Sequence, residues 1–147
     1  MALSYLSYWL LIVSAYNFIG AAFLACKPES LEHLFVGSAN ILINDGMTVP
    51  ILRRVIVWWT LTFAVLRTLT AFSLHHRALY LSTLWSFLVW LGWSCSEAFY
   101  FQTVPPYTLS FGMGMGTIST IWLLFYLPTM WSITANKRLK TEKLHCK

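Results

Sequence analysis

Charge is what this sequence has least of. Asp, Glu, Lys and Arg together make up 10% of its 147 residues, against roughly 25% in an ordinary soluble domain. A small water-soluble domain has too much surface to cover with so few charges, so that class is excluded. Acidic side chains are the scarcer sign, five against ten basic ones, and only Glu97 lies inside a long apolar run. Catalysis by converging titratable groups would therefore find a single carboxylate in the apolar segments.

Cysteine and histidine are equally thin. Cys26, Cys95 and Cys146 are too few and too scattered for a disulfide framework or a zinc site. Cys95 reads as a small packing residue, and the ending "LHCK" matches no prenylation box. Four histidines, with His75–His76 the one cluster, cannot build the HxxH and HxxHH boxes of membrane di-iron oxidases. There is no GxGxxG after a strand, no Walker loop, no Ser/His/Asp set and no HExxH. No catalytic, cofactor-binding or metal site can be assembled from these residues. The start, "MALSYLSYWLLIVSAYNFIGAAFLAC", lacks a basic n-region and a clear small-residue cleavage site, so it is expected to be a retained span.

What fills the sequence is apolar: 58% hydrophobic residues and 17% aromatics. A spanning helix needs about 20 mostly apolar residues, and four segments qualify, at about 5–26, 55–74, 79–101 and 108–131. The expected fold is all-α: one polytopic four-helix membrane bundle over residues 1–147, with a basic tail at 132–147. Within the first loop, "SLEHLF" is expected to form a short interfacial helix. The link "HHRA" is so short that spans two and three must form an antiparallel hairpin. "QTVPPY" is a Pro-Pro turn.

Five of the ten basic residues (Lys137, Arg138, Lys140, Lys143 and Lys147) lie in the tail. A basic flank after a span marks a cytosolic face near anionic lipid, and no basic–aromatic motif points to nucleic acid. The tail and Arg77 share one side, with Lys27, Arg53 and Arg54 on the other, so both termini are expected in the cytosol.

Helices rise about 1.5 Å per residue, and counting outward from "HHRA" puts Arg67 and Ser86 near mid-bilayer. Asn17 and the span-four hydroxyls Thr117, Ser119 and Thr120 come to similar depth. The expectation is a buried polar layer around Arg67. Glu97 lies near the far interface, where an ion pair with Arg54 is favoured over one with Arg67. Such groups either mark a site or lock helices together. Gly112 and Gly116 form a small-xxx-small pair, for close approach within the bundle or by a partner's helix. Of the eight tryptophans, Trp9 and Trp131 sit at span ends, while Trp59, Trp85, Trp90 and Trp122 lie deeper. Deep indoles need N–H partners, and suit protein–protein packing or the groove of a flat apolar ligand.

The run from Arg53 to Thr103 resembles the core of the ergosterol biosynthetic protein 28 family. Arg54 precedes the pair Trp59–Thr60, and Arg67 follows that threonine by seven residues. Ala71, Leu79–Tyr80, Thr83, Leu84, Trp85, Phe87, Ser96–Glu97 and Thr103 continue the pattern. "WLLIVSAYN", ending at Asn17, resembles the family's first span. Val55, Ile56 and Val57 depart from the pattern, as does Trp93, where the family often has a histidine.

The resemblance implies a non-enzymatic four-span protein of the endoplasmic reticulum membrane. It would tether the C-4 methyl sterol oxidase, the sterol-4-alpha-carboxylate 3-dehydrogenase (decarboxylating) and the 3-keto sterol reductase. Asn17, Arg54, Trp59, Thr60, Arg67, Trp85, Ser86, Ser96, Glu97, Gly112 and Gly116 are the candidate structural and partner-binding residues. Membrane lipid is the surrounding partner, and self-association into a homo-oligomer stays open. The alternative is a four-span sterol isomerase of the emopamil-binding type, or a sterol-binding protein, using Glu97 and the membrane-embedded tryptophans.

Overall fold

The computed structural model of the chain describes residues 2–27, 48–102 and 104–145. The described residues form four helices: α1 (Ala2–Cys26), α2 (Thr48–Phe72), α3 (Arg77–Cys95, prolonged by a π-helical turn at Ser96–Tyr100) and α4 (Pro106–His145). Each contains a stretch long and apolar enough to cross a membrane, at Tyr5–Cys26, Ile51–Phe72, Arg77–Tyr100 and Leu109–Thr129. The protein is an all-α, four-span bundle. The segment "SLEHLF" and Cys146 lie outside the described residues.

Two boundaries differ from expectation. α2 starts at Thr48 rather than near Val55, because Arg53 and Arg54 end the uncharged run without interrupting the backbone ladder. Pro50 is tolerated there, since the first helical turn has no intrahelical partners for its N–H groups. α4 runs on to His145 as one helix, so the backbone of the basic tail is helical. At about 1.5 Å per residue its 40 residues reach about 60 Å, twice the hydrocarbon thickness of a bilayer.

The α1–α2 pair is the most intimate in the bundle, and two serines explain why. The Ser7 hydroxyl donates to the Ala71 carbonyl at 2.8 Å, and the Ser14 hydroxyl to the Ala64 carbonyl at 2.7 Å. Moving seven residues up α1 moves seven back along α2, which is an antiparallel register. Two turns of helix return a side chain to nearly the same face. The next member of the stripe, Ala21, is buried as well. Small residues at these positions let the backbones approach, as membrane helix pairs require.

α2 and α3 form the expected hairpin. Ser73–His76 close it, with the His76 N–H donating to the Ser73 carbonyl at 2.9 Å. Across its buried face the hydroxyls of Thr70 and Thr83 meet at 2.6 Å. α4 returns against α3, where the Tyr80 hydroxyl donates to the Leu123 carbonyl at 2.5 Å. At the turn end of the bundle the Arg77 guanidinium lies 4.7 Å from the centre of the Trp131 ring, consistent with an interfacial pair. The core cluster joins Leu6, Leu10 and Val13 of α1 to Tyr80, Leu84 and Phe87 of α3 and Leu123 of α4.

Gly112 and Gly116 face the Trp90 ring. A Cβ at either would come within 2.9 Å of that ring, whereas at Gly114 it would meet nothing within 4 Å. The small-xxx-small pair thus serves packing inside the bundle. Gly116→Ala should destabilise the protein despite the gain of about 1 kcal/mol in helix propensity, while Gly114→Ala should be neutral or stabilising. Thermal unfolding in detergent, comparing the two, reads this out; equal melting temperatures would contradict the Trp90 contact.

Candidate functional site

Residues of all four helices line a half-open cavity of about 390 Å³. α1 contributes Val13, Asn17, Gly20 and Leu24, and α2 contributes Thr60 and Arg67. Phe87, Trp90 and Trp93 come from α3, and Gly112 and Gly116 from α4. Val13 and Leu24 stand eleven residues apart, so the cavity extends about 16 Å along α1. α1 and α4 touch least among the packed helix pairs. Their seam is bridged by an edge-to-face contact of Tyr16 with Phe111 at 5.4 Å.

Arg67 closes the inner end. It is only 4% exposed, and its guanidinium lies 3.9 Å from the centre of the Phe87 ring and 5.4 Å from that of Phe63. Its Nε is buried without a hydrogen-bond partner. The expected ring of polar neighbours is therefore replaced by aromatic faces. Ser86 is buried but donates to the Thr83 carbonyl of its own helix at 2.7 Å. Thr117 is exposed and donates to the Met113 carbonyl. Ser119 accepts the Trp9 indole N–H at 2.9 Å, and Thr120 bonds the Gly116 carbonyl. The reason is reach: hydroxyls in apolar helices find the carbonyl three or four residues back before they find a neighbour.

Asn17 does share the cavity with Arg67, but not its level. The Ser14–Ala64 register puts Asn17 beside Leu61, six residues or about 9 Å along the axis from Arg67. The Asn17 Nδ2 is also buried and unpartnered. Thr60, at the Asn17 level, donates to the Ile56 carbonyl at 2.8 Å.

The remaining expected residues lie elsewhere. Arg54 is exposed on α2, whereas Glu97 is half-buried in the π-helical turn and engaged there. An ion pair between these two is not found among the described residues. α3 changes to π-helical geometry directly before Glu97, which rotates it away from the position a continuous α-helix would give. Ser96 donates to the Trp93 carbonyl at 2.8 Å. Trp59 and Trp85 flank a shallow apolar groove on the outer face of the α2–α3 hairpin, with Ser86 at its floor. Trp59 is edge-on to Phe63, and Trp85 is 67% exposed. Sequence reasoning missed Ser7, Ser14 and the Thr70–Thr83 pair. The seven-residue spacing of two small hydroxyls was the available signal.

A family model described as "Erg28 like protein" matches residues 6–121, which takes in both helices of the hairpin and the whole cavity. The chain belongs to the Erg28 family. Among its relatives, "Ergosterol biosynthetic protein 28" of Arabidopsis thaliana is 30% identical over 120 residues, covering 81% of this chain and 87% of its own. The mouse and human proteins named "Ergosterol biosynthetic protein 28 homolog" are 39% and 37% identical over 75 residues. That is 51% of this chain, which spans about half (49%) of those two relatives. No solved structure matches. Arg67, Asn17, Trp90 and both glycines fall inside the region matched to Erg28.

A donor buried without an acceptor costs stability, so Asn17→Leu should raise the melting temperature or leave it unchanged. Ser14→Ala, which deletes two interhelical contacts, should lower stability by about 0.5–1.5 kcal/mol. Thermal unfolding of both variants in detergent tests the contrast. A large destabilisation by Asn17→Leu would mean the amide has a partner in the folded bundle.

Proposed function

We propose that the protein is a non-catalytic scaffold of the endoplasmic reticulum membrane that holds the enzymes of sterol C-4 demethylation together. The observation that carries this reading is the Erg28 match over residues 6–121, supported by relatives named for ergosterol biosynthesis. The partners would be the C-4 methyl sterol oxidase, the decarboxylating sterol-4-alpha-carboxylate 3-dehydrogenase and the 3-keto sterol reductase. Both termini would face the cytosol, with the basic residues of α4 near anionic headgroups.

The geometry supports such a role. The interhelical hydrogen bonds run within the bundle, and its outer faces are apolar and aromatic, as with Trp58, Trp85 and Phe125. In lipid an exposed apolar face gains nothing by hiding from water, so helix partners are chosen by shape and by polar groups. The outer groove of the hairpin offers both: two ridges, Trp59 and Trp85, over a floor that includes Ser82 and Ser86. A tether that holds successive enzymes raises their effective concentration for one another. A membrane-bound intermediate then passes on before it diffuses away.

Gentle purification of the tagged protein should recover the three enzymes, and its deletion should accumulate 4-methyl or 4-carboxy sterols. A normal sterol profile in the deletion strain, or conversion of a sterol by the purified protein alone, would refute the scaffold. The double variant Trp59→Ala, Trp85→Ala should retain its melting temperature yet recover at least one enzyme several-fold less well, measured by quantitative mass spectrometry.

A further inference from the structure

We propose that the cavity is a binding site for an elongated amphiphilic carboxylate, held by Arg67 in the half of the bundle nearer the hairpin turn. Three observations converge on this. The cavity, about 390 Å³, lies within the range of small-molecule sites and is long and narrow. Its walls are mostly apolar and aromatic, including Phe23, Ile56, Phe87 and Trp90. Arg67, 4% exposed, has its Nε buried without a hydrogen-bond partner among the described residues and lies against the rings of Phe87 and Phe63.

A guanidinium keeps its charge even when buried, and its planar fork of donors matches a carboxylate bidentately. Such a cation inside a membrane protein is costly unless paired. Among the described residues, the only other unpartnered buried donor lining the cavity is the Asn17 amide. Both free groups are donors, so a ligand must bring acceptors. The anionic one goes to Arg67, and a neutral oxygen, hydroxyl or carbonyl, goes to Asn17 about 9 Å farther along. A water-filled cavity would satisfy the donors but waste the aromatic walls.

The polarity of this arrangement narrows the class further. The charged group sits in the half of the bundle nearer the hairpin turn, and the apolar body extends across the middle toward the α1 C-terminus. A phospholipid, with two chains and a bulky headgroup, is too large for a cavity of about 390 Å³. A single-chain fatty acid or a steroid acid has the required chemistry. The second donor favours the steroid acid when it carries a further oxygen. The thinly packed α1–α4 seam, bridged by Tyr16 and Phe111, is the way in from the bilayer. This site is independent of tethering, because the chain alone forms it.

The test uses the full-length protein, delipidated and reconstituted in phosphatidylcholine nanodiscs, with 3β-hydroxyandrostane-17β-carboxylate, oleate and neutral cholesterol as probes. Calorimetric titration should show saturable binding of an acid, tighter for the steroid acid, with cholesterol failing to compete. Tighter binding of oleate would assign the site to fatty acids and keep the carboxylate recognition. Arg67→Met should weaken binding about tenfold or more, and Asn17→Ala should weaken the steroid acid but not oleate. Gly20 lines the cavity with no atom within 4 Å of a Cβ position, so Gly20→Phe should fill it. That variant should abolish binding at an unchanged melting temperature, which decides the matter if Arg67→Met fails to fold. Binding of neither acid, unchanged affinity in Gly20→Phe, or equal competition by cholesterol would overturn the proposal. Partner recovery from cells is read separately, so loss of one result leaves the other standing.

Discussion

The bundle is organised by two hydroxyl-to-carbonyl bonds, Ser7 to Ala71 and Ser14 to Ala64. In water such bonds add little, since each partner is already solvated. In lipid they are among the few forces that distinguish one helix face from another, because burial of apolar surface no longer selects a partner. Their seven-residue spacing fixes the antiparallel register of α1 on α2. That register decides the rest: which α1 side chains overlook Arg67, where Asn17 sits along the axis, and where α4 fails to close the ring.

The other contacts complete the frame rather than define it. The short Ser73–His76 turn and the Thr70–Thr83 bond fasten α3 to α2. The Trp90 ring, seated on Gly112 and Gly116, and the Tyr80 hydroxyl fasten α4 to α3. α1 and α4 meet mainly through aromatic rings and the Trp9–Ser119 bond. A ring of four helices with one weak side surrounds space rather than filling it. The Arg67 guanidinium lies at the inner limit of that space, supported by a ring face instead of an anion.

Much of this was legible in the residues. Four apolar runs of spanning length and the short "HHRA" link gave four helices and the hairpin. Depth counting brought Arg67 and Ser86 to one level of the hairpin, as the Thr70–Thr83 register has them. It could not give azimuth: Ser86 has the right depth but the wrong face, and Thr117 turns outward. Counting also took the end of α2 from composition, so Arg67 came out near mid-span although it lies five residues before Phe72, while Asn17, beside Leu61, is near the middle. Arg54 and Glu97 were paired on depth alone, and the change in helical geometry after Cys95 leaves no clear trace in composition. The family resemblance identified which positions matter, such as Arg67 and Trp59, without saying what each touches.

The π-helical turn at Ser96–Tyr100 has a bearing on how sequences of this kind are compared. A π turn takes up one residue more than an α turn while the flanking helix keeps its axis. Loss of a single residue there would relax the turn to α geometry and leave the face of α3 that meets Gly112 and Gly116 undisturbed. Deletion of one residue should therefore be tolerated between Cys95 and Phe101, whereas within the α-helical parts of the hairpin it would rotate every side chain beyond it. A one-residue gap at this point in an alignment marks preserved architecture, not divergence.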